Sequence, residues 1–562
     1  GLRSKKKTIL RSLSGLFRSG ELTAIMGPSG AGKSSLMNAL TAFSTTGVSG
    51  TIRAGDSVCE LGKRDRSLSS LKAYRKKSCY ILQDERLNPL FTVKELMRFA
   101  ADMKLGNTLP EKLKLSVISE VLETLGLTGS ENTRCGHLSG GQKKRLSIAV
   151  ELIDNPPVVF LDEPTTGLDS STSVQCIEML KKLARGGRTI VCTIHQPTAS
   201  VYSMFDQVST RFLLCEKGVL EIANGEYGKF NDVLAERCTM QGKEQKSLPQ
   251  PLVSADKEEM SCGKISIVIK PPHELYKFGV LFRRCIIQQY RDWTVTHLKV
   301  LLHIAIGIML GLLFEKAGND GSKTISNLGY LIVSIAYLCY TSLMPAVLRF
   351  PSELLVLKKE NFNNWYNLKT YYAAVLVTGI PLQIWYSFVY SAPSYFLSGQ
   401  PLEISRFFMF VMVLANVTLI ADAIGNVIGT CVNPINGTFL GAITTCAMIA
   451  FAGFLVLFAH MSPGMRTISH VSFMRYAFEA IVLSVYSDGR QPLPCPEPKL
   501  YCHSRYPSEL LKQFSFSSEN YWPNIGVLLT EIVIIRIIAY LTLSRTVRTL
   551  TRVVILYIFY VS

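Results

Sequence analysis

The chain has 562 residues, more than one hydrophobic core usually supports, which excludes a single small module and predicts two or more folding units. Hydrophobic residues make up 48% and charged residues 18%, a balance that excludes a disordered chain and favours a membrane part. The net charge of +18 fits nucleic acid, anionic lipid or the cytosolic loops of a membrane protein, and does not choose among them.

Residues 1–237 have the pattern of an α/β domain. Short apolar runs such as LTAIMG, SCYILQ, PVVFLDE and TIVCTIHQ alternate there with helical stretches, which is typical of a largely parallel sheet. Residues 238–272 turn polar and predict a solvated linker to a second domain.

A phosphate-binding loop is predicted near the start of the first domain, where GPSGAGKS stands between an apolar strand and a helical run. Its glycines let backbone N–H groups close on phosphate oxygens at a helix N-terminus, while Lys33 reaches the outer phosphates and Ser34 a magnesium ion. The predicted nucleoside triphosphate site comprises Gly27, Pro28, Ser29, Gly30, Ala31, Gly32, Lys33, Ser34 and Ser35.

A pair of carboxylates follows another apolar strand, in PPVVFLDEP. Asp162 is suited to contact magnesium, and Glu163 to polarise an attacking water. Seen alone, two carboxylates after a strand also fit a turn with a helix cap. Beside a phosphate loop, hydrolysis of the nucleotide is the favoured interpretation.

A second anion-binding helix start is predicted between these two elements, where the chain reads LSGGQ before a helical run. An isolated SGG also fits a flexible turn. This helix start cannot reach the phosphates held by Lys33 without help. Its residues are Leu138, Ser139, Gly140, Gly141 and Gln142.

Taken in order, these motifs resemble the complete set of the ATP-binding cassette domains. The set consists of GPSGAGKS, Gln83 in YILQDE, LSGGQ, VVFLDEP, Asp169 in TTGLDS and His195 in TIHQP. The resemblance implies a head-to-tail dimer in which LSGGQ of one chain closes over the ATP held by Lys33 of another. Because the chain has one such set, a second half-transporter is the expected partner.

The same resemblance implies cofactors and individual roles. Glu163 is the expected general base, His195 contacts the γ-phosphate, and Asp169 communicates across the dimer. Gln83 also contacts the membrane domain. ATP and Mg²⁺ are the expected cofactors, and the implied magnesium contacts are Ser34, Gln83 and Asp162.

An amphipathic helix is predicted over 273–292, ahead of the membrane part. Its apolar face consists of Leu275, Phe278, Leu281, Phe282 and Cys285. A helix lying at the membrane surface fits this spacing, and without context an ordinary packed helix fits it equally well.

Six apolar stretches within 293–545 approach the length of about 20 residues that crosses a bilayer. Their number disfavours buried helices of a large soluble protein. They lie near 296–314, 326–348, 371–396, 405–430, 437–459 and 524–543, and a C-terminal tail is predicted over 546–562. The predicted fold is an α/β P-loop ATPase domain with a mostly parallel sheet, followed by an all-α transmembrane domain of six helices.

Basic residues between the second and third spans, and after the sixth, predict that these connections lie in the cytosol with the ATPase domain. The segment 460–523 is then a long extracellular or lumenal loop, where Cys495 and Cys502 are expected to form a disulfide. The chain is predicted to be a multi-pass protein of the plasma membrane or of an intracellular vesicle membrane.

An ATPase domain that precedes the spans resembles the White or G subfamily of half-transporters, with further matches in FPSE, NNWYNLKTYY and FAGFLV. The resemblance implies an ATP-driven translocase that exports its substrate by alternating access. It also implies a substrate cavity between the second and fifth spans. Candidate lining residues are Tyr337, Tyr340, Phe451 and Phe454, each of which also fits contact with lipid or with another helix.

Members most similar to this chain are implicated in moving sterols and other lipids, so we predict lipid export. The alternative is export of pigment precursors or amphipathic xenobiotics. A regulatory half of a heterodimer and an ATP-gated channel are further classes, although no charged ring suggests a conductive pore. Membrane lipid and a small hydrophobic substrate are the expected partners, and no nucleic acid is expected because six spans oppose a soluble cassette protein.

Overall fold

The computed structural model describes residues 13, 15–209, 272–495 and 505–557, apart from short gaps at 28–29, 44–46, 55–56, 62–70, 72–73, 108, 196–197 and 488. The described chain divides into two compact units at Val280. The segment Lys359–Asn367 belongs to the first unit, although the residues on either side of it, up to Lys358 and from Leu368, belong to the second.

A five-stranded sheet forms the centre of the first unit, and its strands pair in the order β4-β5-β6-β1-β7. All four pairings are parallel, which confirms the predicted mostly parallel sheet. The five residues of β1 are all buried, as expected for a strand covered on both faces. The strands are β1 Leu22–Met26, β4 Ser78–Ile81, β5 Val158–Leu161, β6 Thr189–Ile194 and β7 Gln207–Ser209, and a separate antiparallel pair consists of β2 Gly50–Ala54 and β3 Ser57–Leu61.

Side-chain caps begin three of the helices of the first unit. Thr92 begins α2 and Ser139 begins α4, each in a reciprocal capping box, while Asp169 accepts a hydrogen bond from Thr172 N at the start of α5. Such caps satisfy N–H groups that a helix start otherwise leaves unpaired. The helices whose bounds lie within the described residues are α1 Lys33–Leu40, α2 Val93–Leu105, α3 Glu111–Thr124, α4 Gly140–Leu152, α5 Ser170–Arg185 and α6 Ala199–Tyr202.

The second unit is helical. Five of its described helical segments are long and apolar enough to cross a membrane, or six if a pair of helices bent by 79° counts as one span. The helix α7 Glu274–Arg291 leads into it and corresponds to the predicted amphipathic helix. The others are α8 Lys299–Leu313, α9 Thr324–Phe362, α10 Leu368–Leu397, α11 Ile404–Cys431, α12 Pro434–Ala450, α13 Pro463–Ser469, α14 Phe473–Tyr486, α15 Pro507–Gln513 and α16 Tyr521–Tyr557.

The predicted fifth span is shorter than expected. We predicted 437–459, whereas α12 ends at Ala450 after 17 residues. The chain turns at Gly453, whose φ is 88°, and a Cβ there would lie 2.4 Å from the ring of Phe458. A glycine in the left-handed region with an aromatic ring packed against it forms a turn. The chain is therefore not helical here, although the composition of the sequence resembles a continuing span.

The predicted long loop at 460–523 is also wrong in part, because it contains a buried helix. Twelve of the 14 residues of α14 are buried, and this helix is the second member of the bent pair. It is apolar but too short to be recognised as a span of about 20 residues. Cys495 is disulfide-bonded, while Cys502 lies outside the described residues.

The predicted C-terminal tail begins inside a helix. The last described helix, α16, continues through Arg545 to Tyr557. The predicted sixth span ends where the sequence becomes polar. The Thr and Arg residues of this stretch are compatible with an α-helix, so α16 continues through it.

One partly buried ion pair joins two apolar helices of the second unit. Arg536 Nη2 of α16 donates to Asp422 Oδ2 of α11 at 2.8 Å, and both side chains are less than 15% exposed. Gln383 and Asn426 also donate to the Asp422 carboxylate, at 3.3 and 3.2 Å. These bonds compensate a charge that is costly in an apolar environment.

Candidate nucleotide site

The candidate ATP-binding residues follow the carboxyl ends of neighbouring strands. Met26 lies opposite Ile194, and Ile81 opposite Leu161, so these strands end at one edge of the sheet. Ligands of open α/β sheets bind at this edge. The residues that come next along the chain include Gly27, Gln83, Asp162, Glu163 and His195, of which His195 is half-buried.

The phosphate-binding loop has the backbone that its sequence requires. Gly30 and Gly32 have φ of 82° and 91°, a region that side chains disfavour. Gly32 also precedes α1 and has no side chain that could cap it, so the helix start is suited to an anion. Within the loop Ser34 is exposed and Ala31 and Ser35 are half-buried, while Pro28 and Ser29 lie outside the described residues.

Lys33 is held inside this loop. Its side-chain amine donates to Gly27 O at 2.6 Å, and the residue is buried. Burial lowers the pKa of Lys33, while the nearby Glu163 and Asp162 oppose this shift. The two carboxylates and the lysine therefore act on one another electrostatically, as expected for groups around one phosphate chain.

Glu163 is oriented by three hydrogen bonds. Its Oε2 accepts from Gln83 Nε2 and from Thr166 Oγ1, both at 2.9 Å, and its backbone N–H donates to Thr193 Oγ1 at 2.8 Å. Its φ of 47° lies in the left-handed region, which is uncommon for a glutamate. A carboxylate held this way has a fixed direction, which suits a general base.

Asp162 is buried and accepts two hydroxyl hydrogen bonds. Thr193 Oγ1 donates to Oδ1 at 2.7 Å, and Tyr80 OH donates to Oδ2 at 3.2 Å. Burial raises the pKa of Asp162, whereas these two hydrogen bonds oppose the rise. Because Thr193 also accepts from Glu163 N, a single threonine fixes the two acids relative to each other.

The oxygen atoms present fit magnesium. The hydroxyl of Ser34 and the amide of Gln83 are exposed, and the carboxylate of Asp162 could provide a third oxygen ligand. Hard oxygen donors of this kind are the ones that Mg²⁺ prefers.

The LSGGQ motif forms the start of α4. Ser139 N donates to Gln142 Oε1 at 3.0 Å and Gln142 N donates to Ser139 Oγ at 3.3 Å, while Leu138 is buried and Ser139 and Gly140 are exposed. A Cβ on Gly141 would lie 2.7 Å from the Thr172 side chain, so this glycine allows α4 to approach α5.

Asp169 begins α5 next to this contact. Its Oδ2 accepts from the Ser171 hydroxyl and from Thr172 N. These bonds lower the pKa of Asp169 to about 2. The described contacts of Asp169 are those of a helix cap.

The segment Lys359–Asn367 packs on helix α4 and strand β4 of its own unit. Lys359 Nζ donates to Ser147 Oγ at 2.8 Å, and Trp365 Nε1 donates to Glu151 Oε2 at 3.3 Å. Asn363 accepts from Tyr80 N and donates to Tyr80 O, both at 3.2 Å. Sequence reasoning missed these contacts, as well as the roles of Thr166 and Thr193, because the motifs that contain these residues do not show which side chains meet across the fold.

The four candidate substrate residues have different environments. Tyr337 OH lies 3.1 Å from His303 Nδ1, and the ring of Phe454 lies 5.8 Å from that of Phe478, so both side chains contact the interior of the second unit. Tyr340 is 50% exposed. Phe451 is half-buried and follows the end of α12.

Two family models match separate parts of the chain. A family model described as ABC transporter matches residues 10–166, and one described as ABC-2 type transporter matches residues 276–486. The first range includes the phosphate loop, LSGGQ and both acids, and the second includes α8 to α14.

Three plant and amoebal relatives match most of the chain. "ABC transporter G family member 21" of Arabidopsis thaliana is 27% identical over 85% of this chain and 77% of its own length. "ABC transporter G family member 14" of the same plant is 27% identical over 97% and 88%. "ABC transporter G family member 1" of Dictyostelium discoideum is 23% identical over 96% and 82%.

Proposed function

Because this chain belongs to the ABC transporters, as a G-family half-transporter whose ATPase domain precedes its ABC-2 membrane domain, we propose that it pairs with a second half-transporter and exports sterols or other lipids. ATP hydrolysis and export across a membrane follow from the family. The proposed parts are the pairing, the substrate class and the location of the ATPase domain on the cytosolic side of the membrane.

The pairing is supported by the exposed start of α4. Ser139 and Gly140 are exposed at a helix start, where the backbone N–H groups and the helix dipole favour an anion. The chain has one phosphate loop and one LSGGQ. In the proposed dimer, Ser139 of each chain faces the nucleotide held by Lys33 of the other, so that two sites form together.

Hydrolysis is proposed to use the acids at the edge of the sheet. Lys33 contributes positive charge at the outer phosphates, and Glu163, directed by Gln83 and Thr166, takes the proton of the attacking water. Ser34, Gln83 and Asp162 would hold magnesium, which supplies further stabilisation of the charge on the phosphoryl group.

Coupling to the membrane helices is proposed to run through Lys359–Asn367. Asn363 bonds both backbone groups of Tyr80, three residues before Gln83. The same segment continues directly into α9 on one side and α10 on the other. A change at Gln83 is thus passed to a segment that includes the end of α9 and is followed directly by α10.

An apolar substrate is supported by the exposed faces of α12 and α9. Ile435, Phe439 and Ile443 follow one another at a spacing of four residues on α12, and each is at least 66% exposed. Tyr340 provides an exposed aromatic ring on α9. Apolar and aromatic side chains are the ones that predominantly line sites for apolar ligands.

Stimulation of ATP hydrolysis by candidate substrates tests this proposal. The full chain is reconstituted in vesicles and assayed with sterols, phospholipids, pigment precursors and amphipathic drugs. We expect sterols or phospholipids to stimulate, and Tyr340→Ala to reduce that stimulation several-fold. Trp385→Ala is the matched control, because Trp385 lies on a different apolar helix with a similar exposure of 52%. Stimulation by drugs or pigment precursors alone would reject the lipid assignment.

A further inference from the structure

A lysine is buried inside the helix that LSGGQ begins. Lys144 lies in α4 and is 1% exposed. Its Nζ donates to Gln83 O at 2.7 Å and lies 3.7 Å from Glu85 Oε1. Lysines are almost never fully buried unless their amine is paired, and Lys144 is paired with the loop that contains Gln83.

The hydrogen bond from Lys144 to Gln83 O is the first step of a short path of hydrogen bonds to Glu163, the proposed general base. Lys144 holds the backbone carbonyl of Gln83, and the Gln83 side chain donates to Glu163 Oε2 at 2.9 Å. Burial lowers the pKa of Lys144, while Glu85 opposes this shift, but an amine donates a hydrogen bond in either protonation state. The path therefore consists of two hydrogen bonds.

The other end of the path is the start of the same helix. Ser139 caps α4 five residues before Lys144, a distance of about 7.5 Å along a rigid helix. Lys144 thus links the helix that Ser139 begins to the backbone of Gln83 through a buried contact.

We propose that Lys144 is a positioning residue that connects the LSGGQ helix to Glu163 through Gln83. The inference rests on the proposed pairing, in which Ser139 meets the partner's nucleotide while Glu163 acts on the nucleotide of its own chain. Binding at one site then orients the base of the other. Lys144 is consequently the residue through which the two sites become cooperative.

A double-variant cycle in the full chain tests this role. We expect Lys144→Met to lower kcat for ATP by about 10-fold to 100-fold, as misplacement of a catalytic group does, while KM stays within about twofold. Lys144→Arg, which keeps a donor, is expected to restore most of kcat. Lys143→Met is the matched control on the same helix, because Lys143 is only half-buried and precedes Lys144 directly.

The path through Gln83 is tested by Gln83→Ala alone and together with Lys144→Met. If Lys144 acts through Gln83, adding Lys144→Met to Gln83→Ala lowers kcat by less than about twofold more. Additive losses would overturn the inference. So would a loss of kcat that simply follows a lower melting temperature in Lys144→Met and that Lys144→Arg fails to restore.

The Hill coefficient for ATP separates this inference from the proposed pairing. A cooperative parent whose Lys144→Met variant becomes non-cooperative supports the inference. A cooperative parent whose variant stays equally cooperative contradicts it. A parent without any cooperativity contradicts the proposed communication between paired sites, while the double-variant cycle still decides whether Lys144 positions Gln83.

Discussion

Replacing Glu163 by glutamine removes the proposed base and leaves its surroundings almost unchanged. The amide has the shape of the carboxylate, so the hydrogen bond from Thr166 and the backbone bond to Thr193 persist. General base catalysis contributes about 10²-fold to 10⁴-fold. We therefore expect Glu163→Gln to lower kcat by that factor, which corresponds to roughly 3 to 5 kcal/mol in the activation free energy.

Phosphate release and retention of labelled ATP measure this effect in the same sample. The variant should bind ATP with an affinity close to that of the parent, because Lys33 and its bond to Gly27 are untouched. It should then retain uncleaved ATP through gel filtration. A turnover within about threefold of the parent would refute the assignment of Glu163 as the base.

Two further predictions concern ion pairs, a buried one in the first unit and a partly buried one in the second. Lys104 is bonded to Glu151 at 2.9 Å with both side chains less than 5% exposed, so Lys104→Met should lower the free energy of unfolding by about 3 to 5 kcal/mol. Lys94→Met, at an exposed pair, should change it by less than about 1 kcal/mol. Loss of ATPase activity in increasing urea measures both effects, and equal effects would contradict the argument. Arg536→Met should destabilise the chain in detergent, and adding Asp422→Leu should recover part of the loss because no unpaired carboxylate remains; a melting temperature that falls further in the double variant would contradict this.

The arrangement of the candidate nucleotide site was largely predictable because it depends on local spacing in the sequence. A strand, a glycine loop and Lys33 are close in sequence, and Asp162 and Glu163 follow a buried strand directly. The carboxyl ends of parallel strands lie at one edge of the sheet, so the fold class alone predicts that Lys33, Asp162 and Glu163 lie close together. Thr193 was not predictable, since a buried hydroxyl between two acids has no sequence signature of its own.

The membrane part was less predictable where its segments are short. The helix α14 is buried in the second unit but has 14 residues, so a search for spans of about 20 residues assigns it to a loop. The contacts of Asn363 and Trp365 join residues more than 200 positions apart. Such contacts depend on tertiary packing, which local patterns do not encode.

Complementation between two inactive chains tests the shared site most directly. Lys33→Ala and Ser139→Ala chains, with different tags, are expressed alone and together, and mixed pairs are isolated through both tags. In a head-to-tail pair, one site combines both substitutions and the other has an intact Lys33 and an intact Ser139. We expect each variant alone to be inactive, and the mixed pair to release phosphate from one site in a single-turnover assay. An equally inactive mixed pair, or a fully active Ser139→Ala chain, would contradict a site made by two chains.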